Sequence, residues 1–150
     1  MRISDVLADK AAHGSGHVVT VWPDTRLAYV SQLLDARRIA SVVVVDHDGR
    51  LQGIVSDREL VHALAHYGTQ ALELRAGQVM LSPALACHPD DTVGEVLRLM
   101  TDHRVRHVLV LLDGAMVGIV SIGDLVKIRL TDAELENRVL REMALARLAS

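Results

Sequence analysis

The sequence predicts an α/β (α+β) fold made of two copies of one β-α-β-β-α unit, and three observations carry that prediction. The stretch Gly53-Ile54-Val55-Ser56-Asp57-Arg58-Glu59-Leu60 recurs as Gly118-Ile119-Val120-Ser121-Ile122-Gly123-Asp124-Leu125. Pro23-Asp24, Leu27, Val30 and Arg38-Ile39 each return 66 residues later, as Pro89-Asp90, Val93, Val96 and Arg104-Val105. The spacing falls to 65 only after a turn, His47-Asp48-Gly49 in one copy and Asp113-Gly114 in the other, where a one-residue deletion is tolerated. A register held this long marks a duplicated supersecondary unit. One such unit cannot cover both faces of its sheet, so the copies are expected to pack on each other about a pseudo-twofold axis, leaving two equivalent clefts.

Taken in order, residues 3–7 read as a short helical turn and His13-Gly14-Ser15-Gly16 as a loop. Residues 18–21 read as a strand, and Trp22-Pro23-Asp24-Thr25 starts a helix whose Leu27, Val30, Leu33 and Leu34 form one apolar stripe. The β-branched run 41–45 predicts a strand buried on both faces. A turn then leads to a strand at 51–55 and a helix from Asp57 to about His66. The second copy follows the same order, with Gln78-Val79-Met80 as its leading helical turn. The expected boundaries are 1–67 and 68–130 for the two repeats and 131–150 for a C-terminal helix. That helix continues the last helix of the second repeat, because neither glycine nor proline interrupts 128–148. Its Ile128, Leu135, Val139, Met143 and Ala146 form an apolar stripe about 30 Å long, more than a two-repeat body needs, so it is expected to pack across a homodimer, the alternative being that it folds back on its own module.

Composition excludes several classes. At 150 residues, 50% hydrophobic and 23% charged, the chain is globular, and its formal net charge of -3 gives no bulk attraction to nucleic acid or an anionic membrane. Trp22, Tyr29 and Tyr67 are the only aromatic residues, so stacking platforms for single-stranded nucleic acid are missing. No apolar run reaches the ~18 residues of a membrane span, and the first residues do not lead into a signal-peptide core. The lone Cys87 can form neither an internal disulfide nor a CxxC zinc site, which fits a reducing, cytoplasmic location. His62 and His66 stand at i, i+4 without HExxH or a third ligand, and read as a solvated helix face. No phosphate-binding P-loop, nucleophile elbow or paired catalytic carboxylates occur, so no enzyme is expected.

The candidate site is the repeated junction. A β-branched strand ends at a serine, Ser56 or Ser121, a carboxylate follows three residues later, Glu59 or Asp124, and a helix begins. Backbone N–H groups and the positive dipole end then face whatever lies beyond the strand, which suits a phosphate. The same residues also spell a capping box, which by itself stabilises a helix start by about 1 kcal/mol. Arg58, Arg104, Arg106 and His107 could pair with phosphate or simply be solvated charge.

Two β-α-β-β-α units, each closing on G-h-V-S-x-x-[D/E]-h after a strand that ends near Asp-x-Gly, resemble a tandem pair of CBS domains, named after cystathionine β-synthase. The resemblance covers residues 1–130 and is most specific from Val105-Arg106-His107-Val108 to Asp124. It implies a regulatory module that binds adenine nucleotides (AMP, ADP or ATP, in some members NAD(H) or S-adenosylmethionine) between the repeats. By the same resemblance, Ser121 and Asp124 with Arg106, His107 and Val108 form a second site, whose serine touches phosphate and whose carboxylate holds the ribose hydroxyls. Ser56, Arg58 and Glu59 with Ser41, Val42 and Thr20 form a first, and Ala86 adds backbone groups. Glu59 departs from the usual aspartate, and Val43 and Leu109 replace a common proline. The resulting expectation is a nucleotide sensor, acting as a homodimer or on an effector protein. The alternative is a docking module with empty clefts.

Overall fold

The computed structural model describes residues 1–15 and 17–149; Gly16 of the expected loop and Ser150 of the expected tail lie outside the described residues. The elements run α1 (Ile3–Ala12), β1 (Thr20–Val21), α2 (Leu27–Arg37), β2 (Ser41–Val45), β3 (Leu51–Ser56), α3 (Asp57–Tyr67), a 3-10 turn (Gly68–Glu73), α4 (Ala76–Val79), β4 (Ala86–Cys87), α5 (Val93–His103), β5 (His107–Leu112), β6 (Ala115–Ser121) and α6 (Ile122–Ala149). They form the predicted tandem units. Each unit has a three-stranded sheet, β1-β2-β3 or β4-β5-β6, whose first pair is parallel and second antiparallel. The ladders match in register: Thr20 faces Val43 as Ala86 faces Leu109, and Ser41 faces Ser56 as His107 faces Ser121.

Local chemistry accounts for the joints. Arg38 and Arg104 end α2 and α5 in the left-handed conformation, φ 52° and 53°, which turns the chain sharply into β2 and β5. Asp113 and Gly114, φ 51° and 80°, make a two-residue hairpin turn of the primed kind. The longer first turn is held by the Asp46 carboxylate, which accepts the N–H groups of Asp48 and Arg50.

Two expectations change in shape. The strand expected over 18–21 pairs only through Thr20 and Val21. The opening helical turn grows to ten residues, and it does not belong to the core that follows it in sequence. Ile3 and Val6 are buried with Val93, Met100, Val108 and Leu125 of the second repeat, whereas Ala71 and Ala76 are buried with Leu27, Val42 and Val55 of the first. The short helices are thus exchanged between repeats, so the 67/68 boundary divides the sequence without dividing the cores.

This exchange explains the motif glycine. A Cβ on Gly53 would lie 2.6 Å from the Leu81 carbonyl oxygen, and one on Gly118 would lie 2.7 Å from Leu7 Cδ2. Each glycine lets the segment covering its sheet pass close over the strand. On the other sheet faces Val43 and Leu109 are also buried, although their neighbours Val42, Val44, Val108 and Val110 point into the two cores. The second faces of the two sheets therefore meet each other, and the clefts lie between the repeats.

Candidate functional site

Strand alternation decides which predicted residues can reach a ligand. Val42 and Val108 are fully buried in the two cores, so neither side chain walls a cleft. Their neighbours Ser41 and His107 point the other way. Two cavities result, of about 350 and 260 Å³.

The first cavity holds Ser56, Arg58 and Glu59 of the first repeat opposite Arg104, Arg106 and His107 of the second. The second holds Ser121 and Asp124 of the second repeat opposite Arg38, Ser41 and Val43 of the first, with His107 again in the wall and Lys10 reaching in from α1. Arg106, expected in the second site, is thus in the first, and Ser41, expected in the first, is in the second. The reason is the twofold arrangement: each motif faces the segment leading into the other repeat's hairpin. Thr20 is exposed and lines neither cavity; Val18 and Val19 take that place in the second. Trp22, 52% exposed, tilts against His47 with ring centroids 4.5 Å apart.

The two junctions differ in their hydrogen bonds. In the first, Glu59 Oε2 accepts both the Ser56 N–H (2.7 Å) and the Ser56 hydroxyl. The extra methylene of glutamate lets it fold back over the serine, which commits that hydroxyl proton. In the second, Asp124 Oδ2 accepts the Ser121 N–H (2.9 Å), while Ser121 Oγ accepts the Asp124 N–H (3.1 Å). There the Ser121 hydroxyl accepts from the Asp124 backbone and also interacts with the Asp124 carboxylate.

Lys10 is the residue that sequence reasoning missed. Its Nζ donates to Asp124 Oδ2 at 2.9 Å and to the Ile119 carbonyl at 2.8 Å, with side chains only 15% and 25% exposed. Burial pushes the Asp124 carboxyl up, but the Lys10 ammonium and the Ser121 hydrogen bonds outweigh it and hold the group below its ordinary value. Lys10 lies beyond the helical turn expected over 3–7, and it reaches the site because α1 runs on to Ala12 and packs on the second core. At the first cavity, the bridges between repeats come from arginines instead. Arg106 pairs with Asp57 (2.9 Å) and Arg58 donates to the Arg104 carbonyl (2.7 Å). Ile122 and Gly123 occupy the corresponding positions of the second repeat and provide no such bridge.

His107 is common to both cavities. Burial lowers its pKa; Asp57 opposes this, Arg106 reinforces it, and Glu59 and Asp124 oppose it. The unfolded chain therefore binds this proton more readily. The stability that follows is full above the ordinary value of 6.5 and is lost as pH falls below it. Between about pH 7.5 and 5.5 the wild-type Tm is expected to drop more steeply than that of His107→Asn; equal slopes in a thermal melt series would refute the assignment.

Among the described residues no cluster of His, Cys, Asp and Glu could hold a metal ion, and His66 Nδ1 lies 2.9 Å from the His62 carbonyl. The Cys87 thiol is pushed up to about 11 by burial and by Asp91, as suits a small packing residue. No helix of the described residues is long and apolar enough to cross a membrane.

The sequence model of the CBS domain matches residues 13–66 and 76–131. The crystal structure of a CBS-domain-containing protein from Agrobacterium tumefaciens is 37% identical, with a TM-score of 0.80 over 85% of this chain and 92% of that one. A CBS domain protein from Pyrobaculum aerophilum, solved in complex with AMP, is 25% identical, with a TM-score of 0.71 over 83% of this chain and 89% of its own. The mitochondrial CBS domain-containing protein of Arabidopsis thaliana is 28% identical over 129 residues, 83% of this chain. The chain spans 63% of that relative and 38% of a Thermofilum pendens relative, less than two thirds of either.

Proposed function

Because the chain belongs to the CBS-domain family, we propose that it is a regulatory protein that binds an adenine nucleotide in the clefts between its repeats, more tightly in the second. The carrying observation is the Ser121–Asp124 junction. It places a hydroxyl, a carboxylate and the N-terminus of α6 in one cavity that the other repeat closes. There Ser121 and the helix N-terminus would meet phosphate, and Asp124 the ribose hydroxyls. The Pyrobaculum protein, similar over most of both chains and solved with AMP, supports this class of ligand. AMP, ADP and ATP are the first candidates, then NAD(H) and S-adenosylmethionine.

The first cleft is the weaker of the two in this reading. The longer Glu59 folds back to accept both the N–H and the hydroxyl of Ser56, and Arg58 and Arg106 already have partners. A ligand gripped by both repeats favours one angle between them, and only that difference in affinity can carry a signal to a dimer or an effector protein. The proposed role is sensing in the cytoplasm.

Thermal unfolding with each nucleotide tests the proposal. A ligand at about 100 times its Kd adds roughly 2.7 kcal/mol, a Tm rise of several degrees. One adenine nucleotide should give that rise, and GTP should not. If no nucleotide shifts Tm and none co-purifies, the sensor reading fails and the chain is a docking module with empty clefts.

A further inference from the structure

The first cavity, of about 350 Å³, is lined by more cationic side chains than one phosphate group can use. Arg58 and His62 come from α3, His103 and Arg104 from the end of α5, and Arg106 and His107 from the entry to β5. Against them stand two carboxylates, Glu59, which is occupied with Ser56, and Asp57, which pairs with Arg106. Ile54, Met80 and Leu81 complete the wall without charge. A cleft lined by one sign of charge between apolar walls focuses its field on an entering anion. Repeat symmetry does not produce this charge, since Gly123 and Ala40 hold the positions that correspond to Arg58 and Arg106.

Half of that charge is conditional on protons. Guanidiniums are charged throughout, whereas an imidazole gains its charge between about pH 8 and 5. With the rings neutral, three guanidiniums face two carboxylates; with the rings protonated, six cations do. His107 is half-buried and that burial works against its protonation, with Arg106 reinforcing it and Asp57, Glu59 and Asp124 opposing it. Proton uptake therefore falls first to the exposed rings of His62 and His103. His103 turns Nδ1 to the Leu99 carbonyl at 3.0 Å, so Nε2 is the nitrogen that takes up a proton and donates to an anion. The His66 ring lies 4.2 Å from that of His62; a positive charge on both is unfavourable, and an anion in the cleft offsets it. The Arg106–Asp57 pair is more than half exposed on both sides, so exchanging Asp57 for a phosphate costs little. We propose that the first cleft is a proton-linked site for a linear di- or triphosphate chain, which its arginines grip and which enters together with protons taken up by His62 and His103. Binding there tightens as pH falls.

Inorganic triphosphate is the probe, because it reads the phosphate grip without the adenosine that a nucleotide sensor requires. Its own negative charge falls on acidification, so tighter binding at lower pH comes from the protein. Titration calorimetry should give about tenfold tighter binding near pH 6.5 than near pH 8. His62→Asn/His103→Asn, two changes on exposed side chains, should remove most of that slope, and Arg58→Gln should weaken binding at both pH values. ATP titrated into Asp124→Ala identifies where the chain comes from: tighter binding than triphosphate assigns a nucleotide, equal binding a free polyphosphate. Failure of triphosphate to bind at either pH, equal affinity at both, or the full slope in the double histidine variant overturns the proposal. Triphosphate binding without any nucleotide-induced Tm rise would sink the nucleotide sensor alone, and the converse result would sink this site alone.

Discussion

Asp124→Ala is expected to empty the second cleft while leaving the chain folded. The carboxylate would accept hydrogen bonds from two ribose hydroxyls, and bonds to a charged group contribute about 1.5–3 kcal/mol each. At tenfold per 1.4 kcal/mol, affinity should fall about a hundredfold or more. Loss of the capping bond costs about 1 kcal/mol of stability, and Lys10, left with the Ile119 carbonyl, adds to that. Lys10→Met separates the roles, because it removes the ion pair and keeps both the carboxylate and the Ser121–Asp124 bonds. Titration calorimetry should show near-total loss for Asp124→Ala and retained binding for Lys10→Met. Equal affinity in wild type and Asp124→Ala would reduce Asp124 to a helix cap.

Leu109→Ala is expected to be among the most destabilising single changes. Leu109 is completely buried, faces Ile119 and Ala86 in its ladders, and lies outside both repeat cores, where the two sheets meet. Truncating such a leucine costs about 2–5 kcal/mol as lost transfer energy plus the cavity left behind. Against a total of about 5–15 kcal/mol this is a large share. Denaturant melts should show the loss as a lower midpoint. Nucleotide affinity should fall with it, although Leu109 touches neither junction serine, because the clefts exist only while the sheets stay together. A loss below about 1 kcal/mol would mean the repeats do not depend on this contact.

The periodic parts of the fold were legible because their signals are local. The repeat spacing, the β-branched runs and the serine-to-carboxylate junctions gave the order of elements and the tandem architecture. Alternation within a strand is legible too: beside Ser41 and His107, Val42 and Val108 face the opposite way and enter the two cores. Other features depend on which repeat a segment joins. Arg106 and Ser41 exchange sites because each motif faces the other repeat. Lys10 reaches Asp124 because α1 crosses over to the second core.

From the sequence alone come the duplication, the two junctions and the apolar stripe of the tail, since each is a pattern of neighbours along the chain. The tertiary structure decided the pairing of motif with opposite strand, the Lys10–Asp124 contact and the different use of the two serines. Those depend on distances between segments as much as 114 residues apart. The physical reason is that a short helix covers whichever apolar face its connection lets it reach. Hydrophobic patterning records that a face is needed, but the direction of the chain after Gly14 and after Gly68 determines which face it is.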